Sequence, residues 1–231
     1  MSVTPSGARV KRRGYDATGR RAAAARQHEA VLDAAWARFD AAGFAATTVE
    51  AIATAAGVST ATIYKVFGGK PGLVRALVAR ALRGDPAEPV AAELRSDRRR
   101  AHAAGGRELI EAWGALVAEV SPRVSPIVLL LRDVAAHDRA AAELFAELEA
   151  DRLRRMGENA RGLEALGALR PGLSRANARD VMWTYTAPDL FDVLVRRRGW
   201  SVDRYARFVT DAMTAALLDE PSAGEGAGDR Q

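Results

Sequence analysis

The chain has 231 residues, no cysteine and a formal charge of +5. That length can bury a sizeable core, and the missing cysteines exclude disulfides, thiolate catalysis and zinc–cysteine sites. Alanine, arginine and leucine dominate while alternating β-branched runs are missing, so an all-α fold is expected. No apolar run approaches the roughly 18–20 residues of a membrane span, and the basic N-terminus lacks the apolar stretch of a secretory signal. A cytoplasmic protein without a membrane partner is expected.

The placement of charge says more than its total. Residues 1–70 hold ten basic side chains (Arg9, Lys11, Arg12, Arg13, Arg20, Arg21, Arg26, Arg38, Lys65, Lys70) against five acids (Asp16, Glu29, Asp33, Asp40, Glu50). The whole excess therefore sits in this part and the rest of the chain is neutral, as a polyanion-binding module requires.

Residues 1–25 mix Ser, Gly, Pro, Arg and Lys and read as a basic disordered arm, able to lie along phosphates or to remain a solvated tail. Arg26 to Ala42 is an amphipathic helix with Val31, Leu32, Ala35, Trp36 and Phe39 on one stripe, ended by Gly43. Thr47 with Glu50 fits a capping box, preceded by Phe44 as a hydrophobic staple. Val49, Ile52, Ala53 and Ala56 then recur on one face of a short helix. Gly57 supplies a left-handed end and Val58 its apolar contact. Ser59 caps a second short helix, with Ile63, Val66 and Phe67 expected inward and Thr60, Thr62, Tyr64 and Lys65 outward. Two helices across a tight Gly-containing turn form a helix-turn-helix, whose second helix enters the DNA major groove.

Gly68-Gly69-Lys70-Pro71 opens a connecting helix through Leu73, Val74, Leu77, Val78 and Leu82, closing a DNA-binding domain over 26–82. Lys70 stands at a helix N-terminus, where the macrodipole disfavours a cation; a nearby phosphate would remove that penalty. The remaining body spans 83–220. It begins with a short helix over 89–101 and continues with a helix from Gly106 to Val120. Pro122 and Pro126 should separate that helix from the apolar segment Ile127–Ala136. A long amphipathic helix runs from Asp138 to about Gly167, then one over Ser174–Arg198 bent or divided at Pro188, then a Ser201-capped last helix. The Gly-rich tail 221–231 reads as disordered.

The segment TTVEAIATAAGVSTATIYKVFGGKPGL, with the helix before it, resembles the DNA-binding head of the tetracycline-repressor (TetR) family of bacterial regulators. Gly43-Phe44, Thr47-Thr48, Ile52-Ala53, Ala56-Gly57-Val58-Ser59, Ile63-Tyr64, Phe67 and Lys70 carry the likeness; Val66 departs from the His, aromatic or polar residue common there. The resemblance implies an N-terminal helix-turn-helix head on a C-terminal helical bundle, acting as a ligand-released repressor without a cofactor or metal. It implies a homodimer on a pseudo-palindromic operator in double-stranded DNA. Ser174–Arg198 and Ser201–Leu218 would pair with their symmetry mates, with Tyr205, Phe208 and Met213 in the interface. Thr48, Tyr64 and Lys70 would meet phosphates, and Ser59, Thr60, Thr62 and Lys65 would face the groove with the bases. A small-molecule effector would enter the bundle, with Trp113, Met156, Trp183 and Tyr185 as candidate pocket residues.

Two rivals stand beside this reading. An enzyme in a helical bundle would need clustered ligands or a nucleophile with its base. His28, His102 and His137 are far apart, no Glu-x-x-His pair occurs, and Asp133 with His137 at i, i+4 fits a local ion pair. The second rival is an effector-independent architectural DNA-binding protein, against which the long aromatic C-terminal region argues.

Overall fold

The computed structural model describes residues 17–83 and 92–219, and those residues form helices without a strand. In order they are α1 (Ala17–Ala46), α2 (Val49–Ala56), α3 (Thr60–Phe67), α4 (Lys70–Leu82), α5 (Ala92–His102), α6 (Gly106–Ala135), α7 (Arg139–Ala165), α8 (Arg175–Tyr185), α9 (Pro188–Phe191) and α10 (Val202–Leu217). A wider-wound π segment, Asp192–Arg197, continues α9.

Two expectations about helix limits change. The first helix starts at Ala17 rather than Arg26, so only residues 1–16 of the expected arm, like the tail 221–231, lie outside the described residues. Residues 19–27 are exposed all round. Alanine and arginine are strong helix formers that need no buried face to extend a helix already anchored further along. At its other end α1 breaks at Gly43, whose φ of 78° no longer continues the helix. The second change is in α6, which runs unbroken through Pro122 and Pro126. An interior proline costs about 3 kcal/mol of helix stability; here α6 packs against α1, α4, α5, α7, α9 and α10, and that burial outweighs it. Pro188, by contrast, divides its segment as expected, with Thr186 and Ala187 as the break. By length and apolar content α6 is the one described helix that meets the criteria for a membrane span; its neighbours on several sides show it instead as the central helix of a bundle.

Two cores share α6 and α7. The first joins the head to the body: Leu32, Phe39 and Phe44 of α1, Ile52 of α2, Ile63 of α3 and Leu73 and Leu77 of α4 meet Ile127 and Leu131 of α6 and Leu144 of α7. The second lies at the far end, where Leu109, Ile110 and Trp113 of α6 pack with Leu163 of α7, Met182 of α8, Phe191 of α9 and Tyr205, Val209 and Met213 of α10. Gly114 lets α6 and α10 approach closely: a Cβ there would lie 1.9 Å from Thr210 Oγ1. The middle turns of α6 and α7 belong to neither core.

Candidate nucleic-acid interface and effector cavity

The head is fixed by its caps. Thr48, not Thr47, caps α2: its hydroxyl accepts from the Ala51 amide at 3.1 Å. Thr47 is buried, and its hydroxyl donates to the carbonyls of Arg38 (3.0 Å) and Gly43 (2.8 Å), closing the end of α1. Both threonines have suitable chemistry; the unpaired carbonyls at the end of α1 decide which one turns inward. Gly57 adopts the left-handed conformation at φ 66° and Val58 N–H returns to the Ala53 carbonyl at 3.0 Å, which turns the chain into α3. Ser59 Oγ accepts from Thr62 N at 3.1 Å and lies 2.9 Å from Thr62 Oγ1.

On α3, Ile63 is fully buried and Phe67 packs its ring 4.9 Å from that of His28. Val66 does not turn inward as expected: it is 54% exposed, beside Tyr64 at 56%. At 3.6 residues per turn, Ile63 and Phe67 centre the inner face on one flank and Val66 falls on the other. Of the expected groove-facing residues, Ser59 and Lys65 are exposed and Thr60 and Thr62 half-buried. Lys70 differs in its surroundings. Its ammonium donates to the Phe44 carbonyl at 2.8 Å and stands 4.4 Å over the Phe44 ring. Those two contacts offset the unfavourable helix end within the chain itself, and an ammonium retains further N–H donors for a phosphate.

Between the two cores lies a partly open cavity of about 170 Å³. One wall is a face of α6 made of Leu116, Val117, Val120, Ser121, Val124, Ser125 and Val128; α4 contributes Val78 and Leu82, and α7 contributes Leu148 and Met156. Polar groups gather at both ends. At one, Arg100 of α5 donates to Asn159 Oδ1 of α7 at 2.5 Å, bonds Asp97, and Ser96 Oγ reaches Asn159 Oδ1 at 3.1 Å. At the other, Arg152 of α7 pairs with Glu149 at 2.7 Å and donates to the Trp183 carbonyl at 2.5 Å, tying α7 to the break before Pro188.

Of the four expected pocket residues, Met156 alone lies on this wall. Trp113 is buried in the far core, Trp183 lies under the Arg152 guanidinium at 4.4 Å, and Tyr185 meets Phe208 edge-on at 6.3 Å. Large aromatics fill space, so the gap opens where they are missing. The readable signal was the reverse one, a face of α6 carrying Leu, Val and Ser but no aromatic at helical spacing. Two of the expected interface residues are corrected as well. Tyr205 and Met213 are completely buried within their own chain, whereas Phe208 is 37% exposed and flanked by Trp200 at 5.6 Å. Burial pushes the Tyr205 hydroxyl up to about 12, against the smaller opposing effect of its hydrogen bond with Ser121. Among the described residues no three His, Asp or Glu side chains gather as a metal site.

A capped helix-turn-helix on an otherwise helical bundle with a partly open cavity has the form of a DNA-binding regulator. Residues 31–77 match the family of bacterial regulatory proteins described as the tetR family. Solved structures agree in fold. SmeT of Stenotrophomonas maltophilia in complex with triclosan superposes with a TM-score of 0.66 at 23% identity, over 84% of this chain and 92% of that one. NalD of Pseudomonas aeruginosa, the secondary repressor of the MexAB-OprM efflux pump, gives 0.64 at 20%, over 84% and 98%. A regulator from Saccharomonospora viridis in complex with choline gives 0.60 at 18%, over 85% and 100%. No curated protein matches the sequence.

Proposed function

We propose that the protein is a cytoplasmic, ligand-released repressor that binds a pseudo-palindromic operator as a homodimer. The observation that carries this reading is the reach of α4. Its first residue, Lys70, is pinned to Phe44 of the head, while Val78 and Leu82 near its far end form part of the cavity wall. A molecule that fills the cavity presses on the helix that carries α3. Hundredfold release of DNA needs about 2.7 kcal/mol of differential affinity, within the range of one small ligand. The repressor sense is supported by SmeT and NalD, both named as repressors.

Thr48 and Tyr64 hold phosphates, Lys70 adds a phosphate contact through its spare donors, and Ser59, Thr60, Thr62 and Lys65 face base edges. Lys65 suits guanine O6 and N7, and threonine methyls suit thymine. Phe208, with the exposed sides of α8 and α10, forms the self-association face, setting two heads about 34–36 Å apart or somewhat more. Selection of bound duplexes from random DNA, followed by anisotropy at several salt concentrations, tests the core of this reading. Enrichment of a two-fold-related site is expected, with log K falling by about 0.9 per phosphate contact against log salt; no enrichment at any salt would defeat it. Phe208→Glu is expected to yield monomers in light scattering, and intact dimers would rule out this face.

A further inference from the structure

The cavity wall also specifies what kind of molecule it takes. Its charged side chains are already matched with one another or with neighbours: Glu149 with Arg152, Asp97 with Arg100, Glu158 with Arg154 at 3.0 Å, and Arg155 is engaged as well. An ion entering here would find no unpaired countercharge and would lose its hydration. Asn159 stands differently. It is 7% exposed, and its oxygen accepts from Arg100 and Ser96. A guanidinium only donates, so the amide oxygen must face Arg100. The amide nitrogen is left with two N–H groups and no acceptor among the described residues. Ser125, 3% exposed on the same wall, likewise makes no hydrogen bond among them. Neither atom belongs to the fully enclosed polar atoms that lack a partner; both residues line the cavity, where a ligand oxygen can accept from them. Aliphatic side chains line most of the rest, and a cavity of about 150 Å³ with such walls holds a benzene ring.

We propose that the effector is a small uncharged molecule of about one ring, mainly hydrocarbon, whose carbonyl-type oxygen accepts from the Asn159 amide. This rests on the reading of the cavity as the effector site and narrows it to one chemical class. Four probes of similar size separate the possibilities in calorimetric titration of the full chain: acetophenone, ethylbenzene, benzoate and benzylammonium. Acetophenone is expected to bind at least tenfold tighter than each of the others. Asn159→Asp keeps an acceptor for Arg100 and removes the donors, so acetophenone should fall to the level of ethylbenzene. Unchanged ethylbenzene binding shows that the variant is folded, and Leu116→Trp should abolish binding of all four. Equal affinity for acetophenone and ethylbenzene, a charged probe binding as tightly, a preference surviving in Asn159→Asp, or no binding by any probe would each overturn the proposal. DNA release is read separately by anisotropy. The expected order of probes without release leaves the ligand class standing and removes the regulatory reading; release by some other compound, with the order absent, does the converse.

Discussion

Head and body present their proposed working surfaces in opposite ways. In the head the interior is filled, by Leu32, Phe39, Phe44, Ile52 and Ile63 among others, and the proposed DNA-contacting groups stand on or beside helix caps. In the body the working surface is an interior left unfilled, where the middle of α6 faces a gap between two packed ends. A surface of the first kind is a local matter, settled by a few neighbouring residues. One of the second kind depends on where five helices come to lie.

The sharpest way to test that contrast is to change volume on each side. Phe39→Ala removes a fully buried ring from the head core and is expected to cost about 3–5 kcal/mol in thermal or denaturant unfolding. Val124→Phe adds volume to the cavity wall and should be nearly neutral, with DNA binding kept and ligand response lost. A cost for Val124→Phe near that of Phe39→Ala would mean that the gap is not free space. Next in size, Gly114→Ala should destabilise by about 1–3 kcal/mol, because its methyl meets Thr210 where α6 and α10 touch. Adding Thr210→Ala should restore most of that loss, and a double variant no better than the single one would contradict the contact.

On the head's outer side, Tyr64→Ala should weaken binding to every duplex by about tenfold, the worth of one hydrogen bond to a charged group. A loss confined to one operator would contradict a phosphate role. Thr62→Ala should instead alter the preferred sequence; an unchanged selection profile would remove it from the base readers. The smallest effect is expected at the exposed pair Arg75–Glu147, which links α4 to α7 at 2.7 Å. The hydrogen bond from Arg75 holds the Glu147 carboxyl below its usual range. Its contribution is therefore present above the ordinary carboxylate pKa and is lost as pH falls through the depressed folded value. Glu147→Gln should remove a slight acid-side dependence of the melting temperature and leave the neutral value almost unchanged.

The same contrast explains what could be read from the sequence. Gly43, Gly57, Ser59, Ile52 and Ile63 announce the head because caps and short-range periodicity act between near neighbours. The errors there are small ones: Thr47 and Thr48 exchange roles according to carbonyls on another helix, and Val66 misses the inner face by part of a turn. In the body the signals run out for a different reason. The stripe of Tyr205, Val209 and Met213 says that one side of α10 is buried, but not whether its own chain or a second copy covers it. Pro122 and Pro126 look like a boundary because the forces that carry α6 through them come from helices distant in sequence. Asn159 looks like an ordinary surface amide until Arg100 and Ser96 are brought to it.

Those two prolines have a mechanical result. Neither can donate an amide hydrogen, so the carbonyls of Ala118 and Pro122 receive no rung from four residues ahead. The longest rod in the bundle is thus weakest in bending within a single stretch, and that stretch carries Ser121 and Val124. Stiff on either side and yielding between, α6 concentrates any flexing where a guest would press.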